Sequence, residues 1–393
     1  MGLDIAAIQQ ALCDDELDGW LLYDFHGSNP IARGLVGLAA SGALTTRRWY
    51  YLIPASGTPR GLVHALERDR LDHLPGETVT YAGHGALAAG LEQLLSGCRT
   101  VAMEYSPRCA IPYVSRVDAG TIDTIRAHDI EVRSSGDLIQ RFEAVWNAAA
   151  LETHLAASKA LYHIKDNAFD LVRQRFDSAT PVTELEIQDA MAAWFEEFGL
   201  VSDSRPVVAA QENAGDPHYL PTPARHRGLG ENEILLLDLW GKLDRPGAVF
   251  ADITWMGYTG AEIPTRYARA FNVIRDARDT AIDLVDGRLR EGQPLRGWEV
   301  DRAARERVAA AGLAAYFVHR TGHSLGEEVH GNGVHLDDFE THDDRRLLTG
   351  SGVTVEPGVY FEDFGLRTEI NLFVETDGAR VTGPRQTEIR PLR

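Results

Sequence analysis

HRTGHSLGEEVHGNGVHLDDFE (319–340), followed after a short polar stretch by VTVEPGVYFEDFGLRTE (353–369), decides how the rest of the chain is read. The first segment holds two histidines seven apart, His323 and His330. The second places two glutamates, Glu356 and Glu369, in short β-like runs. Upstream, Asp238 and Asp252 sit in apolar runs on either side of a turn. Four carboxylates and one or two imidazoles are more acid than a packed core tolerates without partners. A pair of bound divalent cations explains them together.

The aspartates belong to ENEILLLDLWGKLDRPGAVFADITWM (231–256), two apolar β runs around Asp-Arg-Pro-Gly. Proline fixes φ in that tetrapeptide and glycine permits a positive φ, so an antiparallel hairpin is predicted. Opposed residues in a hairpin have numbers that sum to a constant, and Asp238 and Asp252 centre it on Arg245. They are then near cross-strand neighbours, about 5 Å apart at Cβ, where like charges repel. A cation between them is favoured over two solvated surface acids.

Gly322 and Gly326 flank His323 closely, and glycines let a backbone approach a metal. Taken alone, a histidine in a glycine-rich segment is more commonly structural. Pro357-Gly358 ends the run of Glu356 sharply. Arg367 and Glu369 are two apart in an alternating run and share one face; a surface salt bridge is an equal reading of that pair alone. Oxygen ligands with one nitrogen suit Mn²⁺, Co²⁺ or Zn²⁺. The Cys/His spacing of a structural zinc site and the acidic loop of a calcium site are both absent. Two such ions activate water and polarise a carbonyl, which points to metal-assisted hydrolysis.

Outward from these motifs, YARAFNVIRDARDTAIDLV (267–285) and WEVDRAARERVAAAG (298–312) are amphipathic helices. A long helical pattern covers 138–176, and Thr183 with Glu186 forms a capping box at the start of the next helix. Residues 1–147 alternate strand runs (19–24, 47–54, 61–66, 78–82, 100–106, 130–134) with helical segments and carry no chemical motif. Two α/β (α+β) domains are expected, 1–147 and 148–393, with the chemistry in the second. The chain is 44% hydrophobic and 25% charged, with ample core for both. A net charge of -19 argues against nucleic acid as a partner. Three cysteines without CxxC spacing suggest a reducing compartment, no apolar run is long enough for a membrane span, and the N-terminus has acids where a signal peptide has basic residues. A cytoplasmic enzyme follows.

In their order and spacing these motifs resemble the pita-bread metallopeptidase family (M24) of methionine aminopeptidases, aminopeptidase P, prolidase and the metal-free creatinases. The matching pieces are PHY with His218, LLLDLWG with Asp238, FADIT with Asp252, HRTGHSLGEEVH with His319, His323 and His330, VEPGVY with Glu356, and LRTE with Glu369. The resemblance implies a C-terminal pita-bread domain preceded by a smaller creatinase-like α/β domain. It implies two divalent ions, Mn²⁺ first and Zn²⁺ or Co²⁺ as alternatives, held by Asp238, Asp252, His323, Glu356 and Glu369. It implies His218, His330 and Glu356 as catalytic residues, with Glu356 as the base toward the attacking water. His319 and Arg367 are expected to bind substrate, with Arg320 and Arg345 as further candidates for a substrate carboxylate. The implied substrates are small proline-containing peptides and the implied assembly a homodimer. The spacing of Glu356 and Glu369, thirteen positions apart, favours an Xaa-Pro dipeptidase (prolidase) over aminopeptidase P. A non-peptidase binding protein on the same fold is the rival from another class. The chain departs from the usual pattern in separating its aspartates by fourteen residues, and in Val249, Trp255 and Gly331.

Overall fold

The computed structural model describes residues 3–39 and 45–393. The chain separates into two compact units, Met1–Ile139 and Gln140–Arg393. Among the described residues no helix is long and apolar enough to cross a membrane.

The first unit is built on six strands: β1 (Gly19–Asp24), β2 (Trp49–Pro54), β3 (Arg60–His64), β4 (Glu77–Tyr81), β5 (Thr100–Met103) and β6 (Glu131–Ser134). Their order is β4-β3-β2-β1-β5-β6. All six strand runs expected from the sequence form, with ends shifted by up to three residues. β1 and β2 are buried along their whole length, which is why they read as continuous apolar runs. Helices α1 (Ile5–Asp14), α2 (Pro30–Leu35), α3 (Gly83–Leu95), α4 (Ala119–Arg126) and α5 (Gly136–Ile139) complete the unit.

The second unit opens on α6 (Ala148–Asp177). The helical pattern expected from residue 138 is broken before it, because Val145 pairs with Ser351 and the Trp146 N–H donates to the Gly350 carbonyl at 2.7 Å. Asn147 then caps the helix, its Oδ1 accepting the Ala150 N–H at 2.8 Å. Next come α7 (Glu184–Glu197), with the expected capping box at Thr183, and strands β7 (Leu200–Val201) and β8 (Val207–Ala210).

The central hairpin is β9 (Ile234–Leu243) and β10 (Ala251–Tyr258). Leu235, Leu237, Leu239 and Ile253 pack with Ala157, Leu161, Ile164 and Phe169 of α6, so alternation sends Asp238, Trp240, Asp252 and Thr254 to the opposite face. The turn is tight. The Ala248 N–H donates to the Arg245 carbonyl at 3.2 Å, and Gly247 has φ +74°. Proline and then a positive-φ glycine at the central positions make a type II turn. The register is corrected by the structure: Asp238 opposes Thr254, and Asp252 opposes Trp240. The hairpin centres on residue 246, so the aspartates are diagonal neighbours on one face, not an opposed pair.

Helices α8 (Thr265–Arg290) and α9 (Gly297–Ala310) follow. They bury Phe271, Ile274, Ile282, Val300 and Val308 in the core that also contains Val353, Val355, Ile370 and Leu372. Those last residues belong to a four-stranded sheet, β11 (Ser324–Leu325), β12 (Gly352–Val355), β15 (Ile370–Glu375) and β16 (Gly378–Val381), in the order β11-β12-β15-β16. Between its members, β13 (Gly358–Tyr360) and β14 (Gly365–Arg367) form a small hairpin, and β17 (Arg390–Pro391) closes the chain beside β10.

Candidate metal centre

Asp252 stands near the start of β10, Glu356 just after β12 and Glu369 just before β15, while Asp238 lies in the middle of β9. Asn371 stitches two of those strands together: its Oδ1 accepts the Asp252 N–H at 3.0 Å, and its Nδ2 donates to the Asp252 carbonyl. The Glu369 N–H donates to the Thr254 carbonyl at 3.2 Å. Asp252 on β10 and Glu369 just before β15 are thereby brought side by side. On the other flank, Gly322 packs its α-carbon against β12; a Cβ there would lie 2.0 Å from the Thr354 carbonyl oxygen. The next residue is fixed from both sides, with His323 N–H donating to Thr354 Oγ1 and Thr354 N–H to the His323 carbonyl, each at 2.9 Å. Glu356 lies two residues beyond Thr354, its N–H donating to the Thr321 carbonyl at 2.7 Å.

The ligand atoms of Asp252, His323 and Glu369 fall within 4.8 Å of one another, and all three residues are buried. His323 Nδ1 lies 3.2 Å from the Ser324 carbonyl, which can only accept, so Nδ1 carries the proton. Burial lowers the imidazole's pKa despite the Glu356 charge, so the ring is neutral with a lone pair on Nε2. That lone pair faces Asp252 Oδ2 at 3.6 Å and Glu356 Oε1 at 3.5 Å. Asp252 Oδ1 and Glu369 Oε1 are buried without a hydrogen-bond partner. Acceptors converge here without a donor between them, and a divalent cation is the species that satisfies such a set. The donor set therefore fits the metal implied by the sequence.

The electrostatics divide the carboxylates into two kinds. Burial, then the neighbouring charges of Asp238 and Glu356, push Asp252 well above the usual carboxylate range. Burial and Asp252 do the same to Glu369. Asp238 is raised by burial but holds Arg367, whose Nη2 donates to its Oδ2. Glu356 is lowered: burial opposes its ionisation, but His323, His319 and Arg367 together outweigh that.

A polar chain lines the rest of the centre. Arg367 donates from Nε to Thr254 Oγ1 at 2.9 Å and from Nη1 to the Tyr360 hydroxyl at 3.3 Å. Thr254 Oγ–H points to Glu369 Oε2 at 2.7 Å and Asp238 Oδ1 at 3.2 Å. His319 Nδ1 lies 2.7 Å from the Arg320 carbonyl and must donate to it, so Nε2 accepts from the Tyr360 hydroxyl at 2.9 Å. Both ring nitrogens of His319 and all three nitrogens of Arg367 are thus engaged within the protein. Arg345 is engaged too, on Asp343 and on the Asn332 and Gly333 carbonyls. Arg320 faces Glu340 at 3.8 Å, and its charge is felt at Glu356, His323 and His330. The His330 ring meets His323 edge to face, centroids 4.3 Å apart. It keeps an exposed edge, while burial of the remainder and then His323 pull its pKa to about 4. His218 is exposed, on a loop where its N–H donates to Asp216 Oδ1 at 3.1 Å.

Thr254, Tyr360 and Asn371 are site residues that the motifs did not single out. Thr254 was within reach, since period two from Asp252 puts it on the same face. Tyr360 and Asn371 act through contacts with segments that the sequence does not align.

The sequence pattern of metallopeptidase family M24 matches residues 151–376. The probable dipeptidase PepE of Mycobacterium tuberculosis is 31% identical over 174 residues, 44% of this chain and 42% of that protein. The chain spans about half the length of the curated relatives it matches. In fold it resembles the crystal structure of dipeptidase PepE from Mycobacterium ulcerans (TM-score 0.70, 22% identity, 99% of this chain and 96% of that one). It also resembles an X-prolyl aminopeptidase from Caenorhabditis elegans, described as a cytosolic enzyme with a di-nuclear active site (TM-score 0.65, 17% identity, 98% of this chain and 62% of that one).

The raised carboxylates carry a sign that can be measured. A group that keeps its proton to higher pH when folded than when unfolded destabilises the fold as pH climbs from the ordinary carboxylate range to the raised value. Asp252→Asn removes one such group. In EDTA the variant should melt above the wild type at the upper end of that window, by about 2–4 °C for each kcal/mol relieved. Excess Mn²⁺ should reverse the order, because only the wild type keeps the full ligand set. A variant that melts lower in EDTA and gains as much from Mn²⁺ contradicts the assignment.

Proposed function

The chain belongs to metallopeptidase family M24, and on that premise we propose that it is an Xaa-Pro dipeptidase using two divalent cations, with Mn²⁺ as the first candidate. The observation that carries the reading is the convergence of acceptors at Asp252, His323 and Glu369, two of them with orphaned carboxylate oxygens. Asp238 and Glu356 complete the proposed ligand set, as the motif order implies. The dinuclear active site described for the Caenorhabditis elegans relative supports that count.

When bound, the cations would lower the pKa of water and polarise the scissile carbonyl. Glu356, its pKa lowered in a setting that includes the Arg367 and Arg320 guanidinium charges, accepts the proton of the attacking water. His330, beside His323 and neutral, donates a hydrogen bond to the developing oxyanion, and His218 joins it from the exposed loop once substrate is present. Arg367 orients Asp238 through Nη2 and opposes the rise that burial imposes on its pKa. We assign the substrate carboxylate to Arg320, which faces Glu340 at 3.8 Å and whose charge reaches Glu356. The proline nitrogen brings no N–H, so ring shape supplies selection there. His319 contributes to that wall through its ring face. We place the reaction in a reducing, cytoplasmic setting, in keeping with three free cysteines, and in a homodimer, which sedimentation equilibrium would report as twice 43.3 kDa.

Two measurements test this reading. The first compares kcat/KM for Ala-Pro or Leu-Pro with that for a tripeptide extended after proline. The dipeptide should win clearly; a strong preference for the tripeptide would make the chain an aminopeptidase P, and no cleavage before proline in either removes both. The second replaces His218 or His330 with alanine. Each change should lower kcat by about 10²–10³, the usual worth of one oxyanion donor, with two metals retained. Loss of a metal in His330→Ala would make His330 a ligand instead.

A further inference from the structure

A row of side chains leads away from the metal centre across the central sheet. β7 is short, pairing Leu200 with Leu243 and Val201 with Lys242 on β9. Carried two residues further, the same register sets Asp203 against Trp240. The side chains close that contact, the Trp240 Nε1–H donating to Asp203 Oδ1 at 2.6 Å. On its other side, Trp240 stands directly opposite Asp252. Opposed residues share a face, so the indole lies on the face that carries the metal ligands. Asp203 is an exposed carboxylate at the outer end of that row, and Trp240 is half-buried.

The spacing limits what Asp203 can do. Two inter-strand steps separate it from Asp252, about 10 Å. That is too far to share a cation with Asp252, since carboxylate–metal bonds are about 2.0–2.2 Å. Its charge is nevertheless felt at both Asp252 and His330, so it belongs to the same electrostatic region as the reacting centre. The α-amino nitrogen of a bound dipeptide is two bonds from the scissile carbonyl carbon and falls well short of this span. The ammonium of a lysine on its four-carbon stem, or an arginine guanidinium, covers it. The indole between offers a wall along which such an apolar stem packs, with a π face for its charge. Lys242, two residues along β9 on the same face, directs its ammonium to the Glu327 carbonyl at 2.5 Å and over the Phe250 ring.

We propose that Asp203, held in place by Trp240, recognises a cationic side chain on the residue N-terminal to the scissile bond, so that the protein favours dipeptides beginning with arginine or lysine. The proposal rests on the dipeptidase reading above and adds a preference for the first residue that does not depend on proline in the second.

The test pairs arginine with its neutral isostere citrulline, using Arg-Pro, citrulline-Pro, Lys-Pro and Leu-Pro together with Arg-Ala and Leu-Ala. Wild-type kcat/KM should favour Arg-Pro over citrulline-Pro by about tenfold or more, the usual worth of a charge-assisted contact. Asp203→Asn keeps an acceptor for the Trp240 N–H while removing the charge. It should abolish that preference and leave Leu-Pro within about twofold of the wild-type value. Asp203→Lys should turn the preference toward Glu-Pro. Equal losses on all substrates, or an unchanged arginine preference in Asp203→Asn, would show that Asp203 only holds the Trp240 side chain and overturn the proposal. If only the alanine dipeptides are cleaved, the proline reading fails and the arginine preference is read from Arg-Ala against Leu-Ala, its loss in Asp203→Asn supporting the proposal and its persistence overturning it. If no dipeptide is cleaved, the dipeptidase reading fails, and calorimetric titration of the metal-loaded protein with Arg-Pro and citrulline-Pro still decides the subsite, equal affinities overturning it.

Discussion

The structure is organised around a repulsion. Asp252, Glu369, Glu356 and the Nε2 lone pair of His323 are gathered into one buried pocket, where each is an acceptor and none is a donor to the others. Left as they are, they work against the fold, since like charges in a dry interior raise one another's pKa and hold protons they would lose in water. Elements that contribute little to catalysis are there to maintain the convergence. The Asn371 amide clamps Asp252 by both its backbone groups, and the bare α-carbon of Gly322 lets the His323 segment press on β12. Only a hydrophobic core much larger than the pocket, such as that under α8 and α9, can offset such a cluster.

The pocket is asymmetric, and Arg367 makes it so. Its guanidinium pairs with Asp238, reaches Thr254 and touches Tyr360, so one wall of the site is already neutralised. The opposite wall, Asp252 and Glu369, is not. The tautomers follow from the same chain of bonds. Carbonyl oxygens at Arg320 and Ser324 demand protons on the Nδ1 atoms of His319 and His323, which turns one Nε2 toward Tyr360 and the other toward the carboxylates. Backbone groups thus set which imidazole nitrogen is available, a determinant that side-chain chemistry alone does not reveal.

Beyond the pocket the same sheet face carries Trp240 and Asp203, so one register positions ligands at its centre and a charged rim at its edge. The two-residue slip between the expected and observed hairpin matters for this. With Asp238 facing Asp252, the hairpin would hold two like charges in direct opposition. With Thr254 and Trp240 as the opposed partners, each aspartate sits diagonally from the other, and a hydroxyl and an indole occupy the places between. The type II turn at Arg245–Ala248, with Pro246 and Gly247 at its two central positions, lies in the loop that joins β9 and β10.

The sequence by itself determined most of the strands and helices and singled out the acidic residues that the structure brings together, because each of these is a local matter. Apolar runs on either side of Asp-Arg-Pro-Gly placed Asp238 and Asp252 in strands, Pro357-Gly358 ended the run of Glu356, and the Thr183–Glu186 pair announced α7. A buried carboxylate in an apolar run is conspicuous wherever it occurs, since nothing local can satisfy it. Tertiary structure alone decided what those residues meet. That Arg367 would turn inward to Asp238 and that Asn371 would hold the backbone of Asp252 depend on bringing β14 to β9 and β15 to β10 across more than a hundred residues of chain, and that His319 would be occupied by Tyr360 depends on a contact across 41 residues. Long-range contacts of this kind leave no periodic trace, because hydrogen-bond partners are chosen by proximity after folding and not by spacing along the chain.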